Sequence, residues 1–480
     1  MIAGKLCLFT EADLDKLDAA VLRILDNTGI QVHGEEFLDG LVAMGARVDK
    51  ADRRARFPAR LVEGFVEERR KRAASPPEPV REHEGAYAPS VGCVIAPFVH
   101  DFERRTRRRP TRQDLIDIIH WAEVDTPPRC RVGQAVTMSD VDPRVEPIEA
   151  YALLLEHSGR PNESAYASDA GQIEFLLELT TVHCGEPHFP HGPDFMTSPL
   201  TFGDRVARHI LATIQFGQKH FGFGVMPICG GNAPMTIAGN VALSAAELLG
   251  GWLTIKALQP EATFSGGACN GIVDMRQGAA TFNAPEALLA DLGVCELFAR
   301  RYGGGVGVAA GADYIDARLP GLQAAYERTY RAMAIAAFTG GPFFMGGTGT
   351  LDEGKIFSPV QFIVERELGE GLWRLGQGIR VDDDTLALDT IARVGVGEGK
   401  SYLDAEHTFQ HFRETWFPNF LCRGAWEGDA IEFQRDGKIL EDAHQRYKDA
   451  VARYAPPDVD DDKRKEIRKI VQRARRHLLG

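Results

Sequence analysis

No run of about twenty consecutive apolar residues stands out in the chain, so no membrane-spanning segment is expected. The opening MIAGKLCLFTEADLDKL has no extended apolar core behind a basic start, and a signal peptide is not expected either. The eight cysteines, Cys7, Cys93, Cys130, Cys184, Cys229, Cys269, Cys295 and Cys422, form no CxxC pair and no tight framework. Reduced thiols and a cytoplasmic location follow from that scatter. GxGxxG and P-loop patterns are missing, which removes the usual phosphate cradles, and no GxSxG elbow supports a hydrolase nucleophile. Excess basic charge is lacking too: the net charge is −13 with a pI near 5.6, the wrong sign for displacing counterions from nucleic acid. One basic run, RRTRRRPTR from Arg104, is flanked by Asp101, Glu103 and Asp114 and reads as a solvated loop, with partner docking the lesser alternative.

What is present is a regular alternation. From Phe221 to Gly378 a short apolar strand-like piece, a glycine-bearing turn and a helix-like piece follow one another four times. FGFGVMPICGG leads into a helix carrying Ile237, Val241, Ala245, Leu248 and Leu249. ATFSGGACN leads into PEALLADLGVCELFARRYG, GVGVAAGADYID precedes LPGLQAAYERTYRAMAIAAF, and PFFMGGTGT precedes SPVQFIVERELGEGLWRLGQG. Strands this uniformly apolar fit a parallel sheet covered on both faces, with the helices as crossovers. The same order recurs four times upstream, less cleanly, in the pieces beginning VGCVIAPFVHD, CRVGQAVTM, ESAYAS and PHFPHGPDF. Eight units are the number that closes a parallel sheet, so the expected fold is a (β/α)8 TIM barrel.

Flanking parts complete the expected organisation. Helices are expected at Glu11 to Leu25, capped by Thr10, at Glu35 to Met44, and at Pro58 to Arg72, with Val48 to Arg53 as a small turn. These form an N-terminal helical cap that ends in a Pro/Glu-rich linker, Ala74 to Gly85. The division is therefore 1–85 cap and linker, 86–380 barrel, and 381–480 a C-terminal extension packing on the barrel. The extension holds a helix from Asp384, an aromatic-rich segment and charged terminal helices.

In a parallel α/β protein the strand ends carry the ligand site. The residues placed there are Phe98, His100, Asp101, Asp140, Ser168, Asp169, Asp194, Phe195, Cys229, Asn232, Asn270, Asp274, Asp313, Tyr314, Thr348 and Asp352. Acids and aromatics dominate and lysine is absent, a composition suited to a quaternary ammonium held by cation–π contacts and a carboxylate. The competing reading is that these aspartates cap the following helices. Metal sites are not expected: His183, Cys184 and His188 lack a fourth ligand, and in HTFQH the i, i+4 pair His407 and His411 has Thr408 where a zincin has its glutamate. A structural or substrate-contacting role is the reading for those histidines.

Several stretches together resemble the trimethylamine methyltransferase family: LRILDNTGIQVHGEEFLDGLVAMGARVDKADRRARFPARLVEGFV, PTRQDLIDIIHWAEVDTPP, GGNAPMTIAGNVALSAAELLGG, GADYIDARLPGLQAAYE and GKSYLDAEHTFQHFRETWFP. They occur in the family's order and span nearly the whole chain. The resemblance implies a TIM barrel that moves a methyl group from a methylated amine to the cobalt(I) of a separate corrinoid protein. Cobalamin would thus be supplied by that partner, with no cofactor held tightly by this chain. Some members carry pyrrolysine in the segment matching ADYIDARLPGLQ, near Leu319 here. This chain has only standard residues and resembles the non-pyrrolysine branch, which acts on quaternary amines such as glycine betaine. The family pattern has a lysine and a second aspartate where this chain has Arg318 and Gly321, which leaves the exact amine open.

The resemblance adds Gln323, Glu327 and His407 to Asp313. Together with the strand-end inventory the expected substrate contacts are Phe98, Asp101, Asp194, Phe195, Asn232, Asp313, Tyr314, Thr348 and His407, with no catalytic acid, base or nucleophile assigned. A quaternary ammonium methyl leaves a neutral tertiary amine, so positioning and desolvation suffice. Expected partners are the methylated amine, a corrinoid protein and, as an open possibility, further copies of the chain. The rivals are a non-catalytic betaine-binding protein and another TIM-barrel lyase, which would need a strand-end Schiff-base lysine or phosphate site.

Overall fold

The computed structural model describes residues 5–73, 87–309, 311–421 and 435–480; the expected linker at 74–85 and Cys422 lie outside them. The N-terminal part comes first, with α1 (Glu11–Arg23), β1 (Ile30–Val32), α2 (Glu35–Met44), β2 (Arg47–Asp49), β3 (Arg54–Arg56) and α3 (Ala59–Ala73). Thr10 and Asp13 close a reciprocal capping box on α1, and the expected turn at 48–53 is a hairpin of β2 on β3. Central elements follow: β4 (Phe98–Asp101), β5 (Thr106–Arg108), α4 (Arg112–Asp125), α5 (Glu146–His157), α6 (Ile173–Cys184), β6 (Thr201–Phe202), α7 (Asp204–Gln215), β7 (His220–Val225), β8 (Ile228–Cys229) and α8 (Ile237–Leu258). Next are β9 (Thr263–Ala268), β10 (Gly271–Asp274), β11 (Ala279–Thr281), α9 (Pro285–Arg301), β12 (Val306–Val308), α10 (Leu322–Thr339), β13 (Thr350–Leu351), β14 (Ile356–Phe357) and α11 (Pro359–Gly376). Last come α12 (Asp383–Leu386), α13 (Leu388–Val394), α14 (Glu406–His411), α15 (Arg435–Ala452) and α16 (Asp461–Leu479).

All eight crossover helices expected from periodicity, α4 to α11, are present, but the strands differ from expectation. They form four small sheets of three or four strands, and no closed barrel is formed by this pairing. Parallel connections nonetheless run in chain order. Val91 and Ala96 bridge to Val132 and Val136, Val132 to Pro161, Tyr166 to His191, and Phe195 to Gly224. β7 then pairs with β9 and β9 with β12, while β14 returns to β4. Of the piece 342–350, where the eighth strand was expected, only Thr350 lies in a strand, β13, which pairs antiparallel with β14.

Two features shorten the ladders. Glycine and proline interrupt these strands, removing side-chain packing and donors. Backbone amides at the strand ends are also diverted to carboxylates of the helices behind them: Met138 N–H to Glu146, Leu200 N–H to Glu247, Asn270 N–H to Asp291, Ala317 N–H to Glu327 and Gly349 N–H to Glu365. An amide given to a side chain is lost to a neighbouring strand.

Two apolar clusters hold the layers together. One joins Leu14, Phe37 and Phe65 of α1 to α3 with Phe221, Phe223, Trp252, Phe264 and Phe298. The other joins Leu115, Trp121, Tyr151 and Leu176 with Phe357 and Phe362, and with Ala443, Ala450, Ile467 and Ile470 of α15 and α16. Each such large side chain contributes about 1.5–3 kcal/mol by burial. One helix, α8, is long and apolar enough to cross a membrane by length and composition, although no uniform apolar run marked it, but 83% of its apolar window is buried inside the protein. Its apolarity is that of a core helix flanked on both sides.

Candidate active site

Two strand-end candidates, Asp313 and Thr348, come together at Gly347. Asp313 is fully buried and its carboxylate lies against Gly347, where any Cβ would collide with it; φ of +64° at Gly347 also favours glycine. Asp313 Oδ1 and the hydroxyl of neighbouring Thr348 are both buried with no hydrogen-bond partner among the described residues. Tyr314, next along the chain, is half-buried and sets its ring 5.5 Å from that of Phe282. Burial pushes Asp313 up to about 7, with Arg328 and Arg331 opposing that rise and Glu365 reinforcing it. Cys93, absent from the expected set, faces the same point: burial pushes its thiol up to about 12, with Asp313 adding and the Gly347 amide opposing. Yet Cys93 is solvent-exposed. Asp313, Gly347, Thr348 and Cys93 together outline one pit.

Behind this pit two buried arginines on α10 hold the backbone in place. Arg328 donates to Ala312 O, Gly347 O, Thr350 O and, at 2.7 Å, Glu365 Oε1. Glu365 also accepts from Gly349 N–H and Gln361. Arg331 donates to Gly311 O and Phe282 O and pairs with Asp291 at 3.2 Å. Asp291 accepts in turn from Asn270, whose carbonyl takes Asn240 and Ser244. Sequence reasoning missed this network. Its available signal was the i, i+3 spacing of Arg328 and Arg331 in YERTYRAMA, on a face that alternates with alanine.

Several other expected contacts have structural partners, although one Asp194 oxygen is buried without a hydrogen-bond partner. Asp101 is matched by Arg108 at 3.3 Å and Arg104 at 3.6 Å, and Arg108 also holds Asp114. The Phe98 ring is already covered by Arg107 and Arg109, 4.6 and 5.4 Å from its centroid. Both facts follow from the basic run, which folds back as β5 onto β4 rather than remaining a solvated loop. Arg107 and Arg318 also meet on Asp352, at 3.1 and 3.7 Å. Lys355 neighbours Phe98 through its backbone, its carbonyl accepting the Phe98 amide, while its ammonium is exposed and paired with Glu353.

Asp194 and Phe195 point to opposite sides, as strand alternation requires. The Asp194 carboxyl turns to α7, where His209 Nε2 is 3.6 Å away, and burial pushes it up to about 7. Phe195 lies over Gly224 and is 38% exposed, so of the two it alone fronts open space. Asn232 ties its own turn by accepting from Ile228 N–H and donating to Ser198 O. Glu327 accepts the Asp316 and Ala317 amides and Gln323, so this pair fixes a loop. Asp169 caps the helical turn that follows it, as the capping alternative requires, whereas Asp140 accepts the Arg112 amide at the start of the preceding α4 and Asp274 accepts the Arg276 amide in the β10–β11 turn. His407 sits on α14 with Asp384 and His411, with no contact to the pit among the described residues. A cavity of about 420 Å³ between α6 and α16, lined by Leu177, Phe189 and Ile470, holds none of the expected residues.

The pit thus presents a carboxyl raised by burial and an unpaired hydroxyl side by side. The family model described as trimethylamine methyltransferase matches residues 3–478. A glycine betaine methyltransferase of Desulfitobacterium hafniense strain Y51 is 25% identical over 476 residues, covering 94% of each chain. Trimethylamine methyltransferase MttB of D. hafniense strain DSM 10664 / DCB-2 is 23% identical, covering 90% of this chain and 89% of the relative. MttB1 of Methanosarcina acetivorans is 24% identical, covering 99% and 97%.

Proposed function

The chain belongs to the trimethylamine methyltransferase family, and from that premise we propose that it is a methyltransferase moving a methyl group from a quaternary amine of the betaine class to the cobalt of a partner corrinoid protein. The observation that carries the substrate class is Asp313, a buried carboxyl without a hydrogen-bond partner beside Tyr314 and Phe282. In this reading the trimethylammonium head sits against Asp313 and Thr348 with the tyrosine ring on its flank. The carbon–nitrogen bond breaks with its electron pair remaining on nitrogen. A neutral tertiary amine leaves, so no residue has to donate a proton and none in the pit is assigned as an acid. The cobalt of the partner supplies the nucleophile. This chain's part is to desolvate the ammonium, aim one methyl outward and exclude water.

Strand-end loops expose Met235 and Met275 beside Gly230, and Phe195 over Gly224, apolar groups suited to receiving a planar macrocycle carried by another protein. The same reading takes the seven parallel-bridged segments as part of a barrel completed by 342–347, with a division at 85/86 and 380/381 and a cytoplasmic setting. The test is methylation of cob(I)alamin by the purified protein against a panel of betaines and tertiary amines. Turnover with one or more quaternary amines is expected, and turnover with tertiary amines alone overturns the substrate class. Tight betaine binding without any transfer makes the chain a binding protein instead.

A further inference from the structure

Away from the pit, the arm that carries α12 to α14 has little core of its own. Ile379, Val381, Val396 and Leu403 are 87, 73, 96 and 83% exposed, and α12 and α14 bury no residue. What does converge within the arm is a set of ligand-type side chains. Asp384 of α12 meets His407 and His411 of α14, and one ligand atom from each lies within 4.8 Å of the other two. The imidazole centroids are 4.3 Å apart, as i, i+4 placement on one helical face brings about.

Hydrogen bonds already assign the nitrogens. A carbonyl or carboxylate oxygen can only accept, so each ring nitrogen bonded to one must carry the proton. Glu414 Oε1 takes His411 Nδ1 at 2.7 Å, which leaves Nε2 of the neutral ring as the lone pair. That Nε2 is buried without a hydrogen-bond partner and stands 3.5 Å from Asp384 Oδ2, an oxygen that Arg380 also holds at 2.9 Å and that a bound ion would share or take over. The Asp384 carbonyl takes His407 Nε2 at 3.1 Å, leaving Nδ1 as the lone pair of that ring. An outer oxygen that fixes the tautomer of a histidine is the arrangement of metal-bound imidazoles.

We propose that Asp384, His407 and His411 bind one divalent transition-metal ion of the zinc class, tying α12 to α14. Two imidazole nitrogens and a carboxylate oxygen suit zinc with a fourth position left to water. Ligand atoms around tetrahedral zinc are separated by about 3.3 Å, so binding draws the three side chains slightly closer. Thr408 occupies the place of a general base and donates to Tyr402 O, so the ion acts as a clip and not as a hydrolytic centre. The proposal departs from the expectation of no metal: to the i, i+4 histidines it adds a third ligand from 23 residues upstream, the separation of Asp384 from His407.

The test is made on the full chain, stripped with chelator and dialysed against zinc, or loaded with cobalt(II) for its visible d–d bands. About one zinc per chain and intense cobalt bands of a four- or five-coordinate site are expected. Asp384→Asn and His411→Ala should each lose the bands and most bound zinc, and Glu414→Gln should weaken binding roughly 10–100-fold. Less than about 0.1 zinc per chain in the parent protein overturns the proposal. So does zinc that the His407→Ala/His411→Ala double variant retains. These readouts need no substrate, so they stand or fall separately from methyl transfer.

Discussion

Two regions a few residues apart treat buried charge in opposite ways. In the layer formed by α9, α10 and α11, Arg328 and Glu365 are both fully buried and matched, as are Arg331 and Asp291. Every one of these groups also holds backbone. Immediately above, Asp313 is as deeply buried but has an oxygen with no partner, and Thr348 beside it is left the same way. Asp194 and Asp316 each have a buried oxygen without a partner as well, so it is the company of Thr348 that sets Asp313 apart. The layer is scaffold, and the pit is the place that the proposed function gives to an outside group.

The comparison breaks most visibly from the scaffold side. Arg328→Met removes a guanidinium that serves three carbonyls and Glu365. An uncompensated buried carboxylate should cost about 3–5 kcal/mol, read as a lower midpoint of denaturant unfolding. If Arg328→Met leaves stability untouched, the layer is not the scaffold.

From the pit side the expectation is reversed. Asp313→Asn should leave the folded state at least as stable at pH 8 while weakening betaine-dependent methyl transfer by roughly 30-fold, about 2 kcal/mol. The pH dependence has a definite sign. Folding raises the Asp313 carboxyl from 3.8 to about 7, so its neutral form favours the fold below pH 4 and that contribution is lost as pH rises through 7. Cation binding runs the other way, because the ammonium needs the carboxylate: affinity should climb between pH 6 and 8 in the parent protein and stay flat in Asp313→Asn. An identical profile in both would place the cation elsewhere.

A smaller effect is expected at the ring. Tyr314→Ala should raise KM by about 2- to 30-fold, the range of a cation–π contact of 0.5–2 kcal/mol, whereas Tyr314→Phe should retain most of the affinity. Equal losses in both variants would assign the role to the hydroxyl.

How far the sequence shows this division depends on which forces are local. The helices α4 to α11 were legible because their apolar period and their Gly and Pro stops lie within one segment. Sheet pairing was not, since the amides of Asn270 and Gly349 go to Asp291 and Glu365, 21 and 16 residues downstream. Among site candidates, Asp313 lies against Gly347, next to Thr348, as two strand ends side by side would have them. That the Asp194 carboxyl turns to His209 of α7 is not legible, because no pattern in PHFPHGPDFMTSPLTF reveals which side of an irregular strand faces the helix. His407 was noticed for its spacing to His411, while the third member, Asp384, is visible only once α12 and α14 are side by side.

The smallest effects test the residues that composition nominated and the structure reassigns. Asp101 and Phe98 are an acid and an aromatic at a strand end, the pair that a cation site would seem to want. In the fold their partners are already present. Arg108 and Arg104 take the Asp101 carboxylate, whose pKa is lowered by the Arg104 amide and the arginines against the opposing effect of burial. Arg107 and Arg109 occupy the face of Phe98, so a second cation approaching that ring would meet two positive charges. Asp101→Asn should therefore cost less than about 1 kcal/mol of stability, as for other partly exposed ion pairs, and leave KM for the amine unchanged. Phe98→Leu should behave alike toward the substrate, its loss confined to packing against Ile315, Leu351 and Ile356. A several-fold rise in KM in either variant, with unfolding midpoints unaltered, would mean that the arginines move aside and that the site extends from Asp313 across to β4.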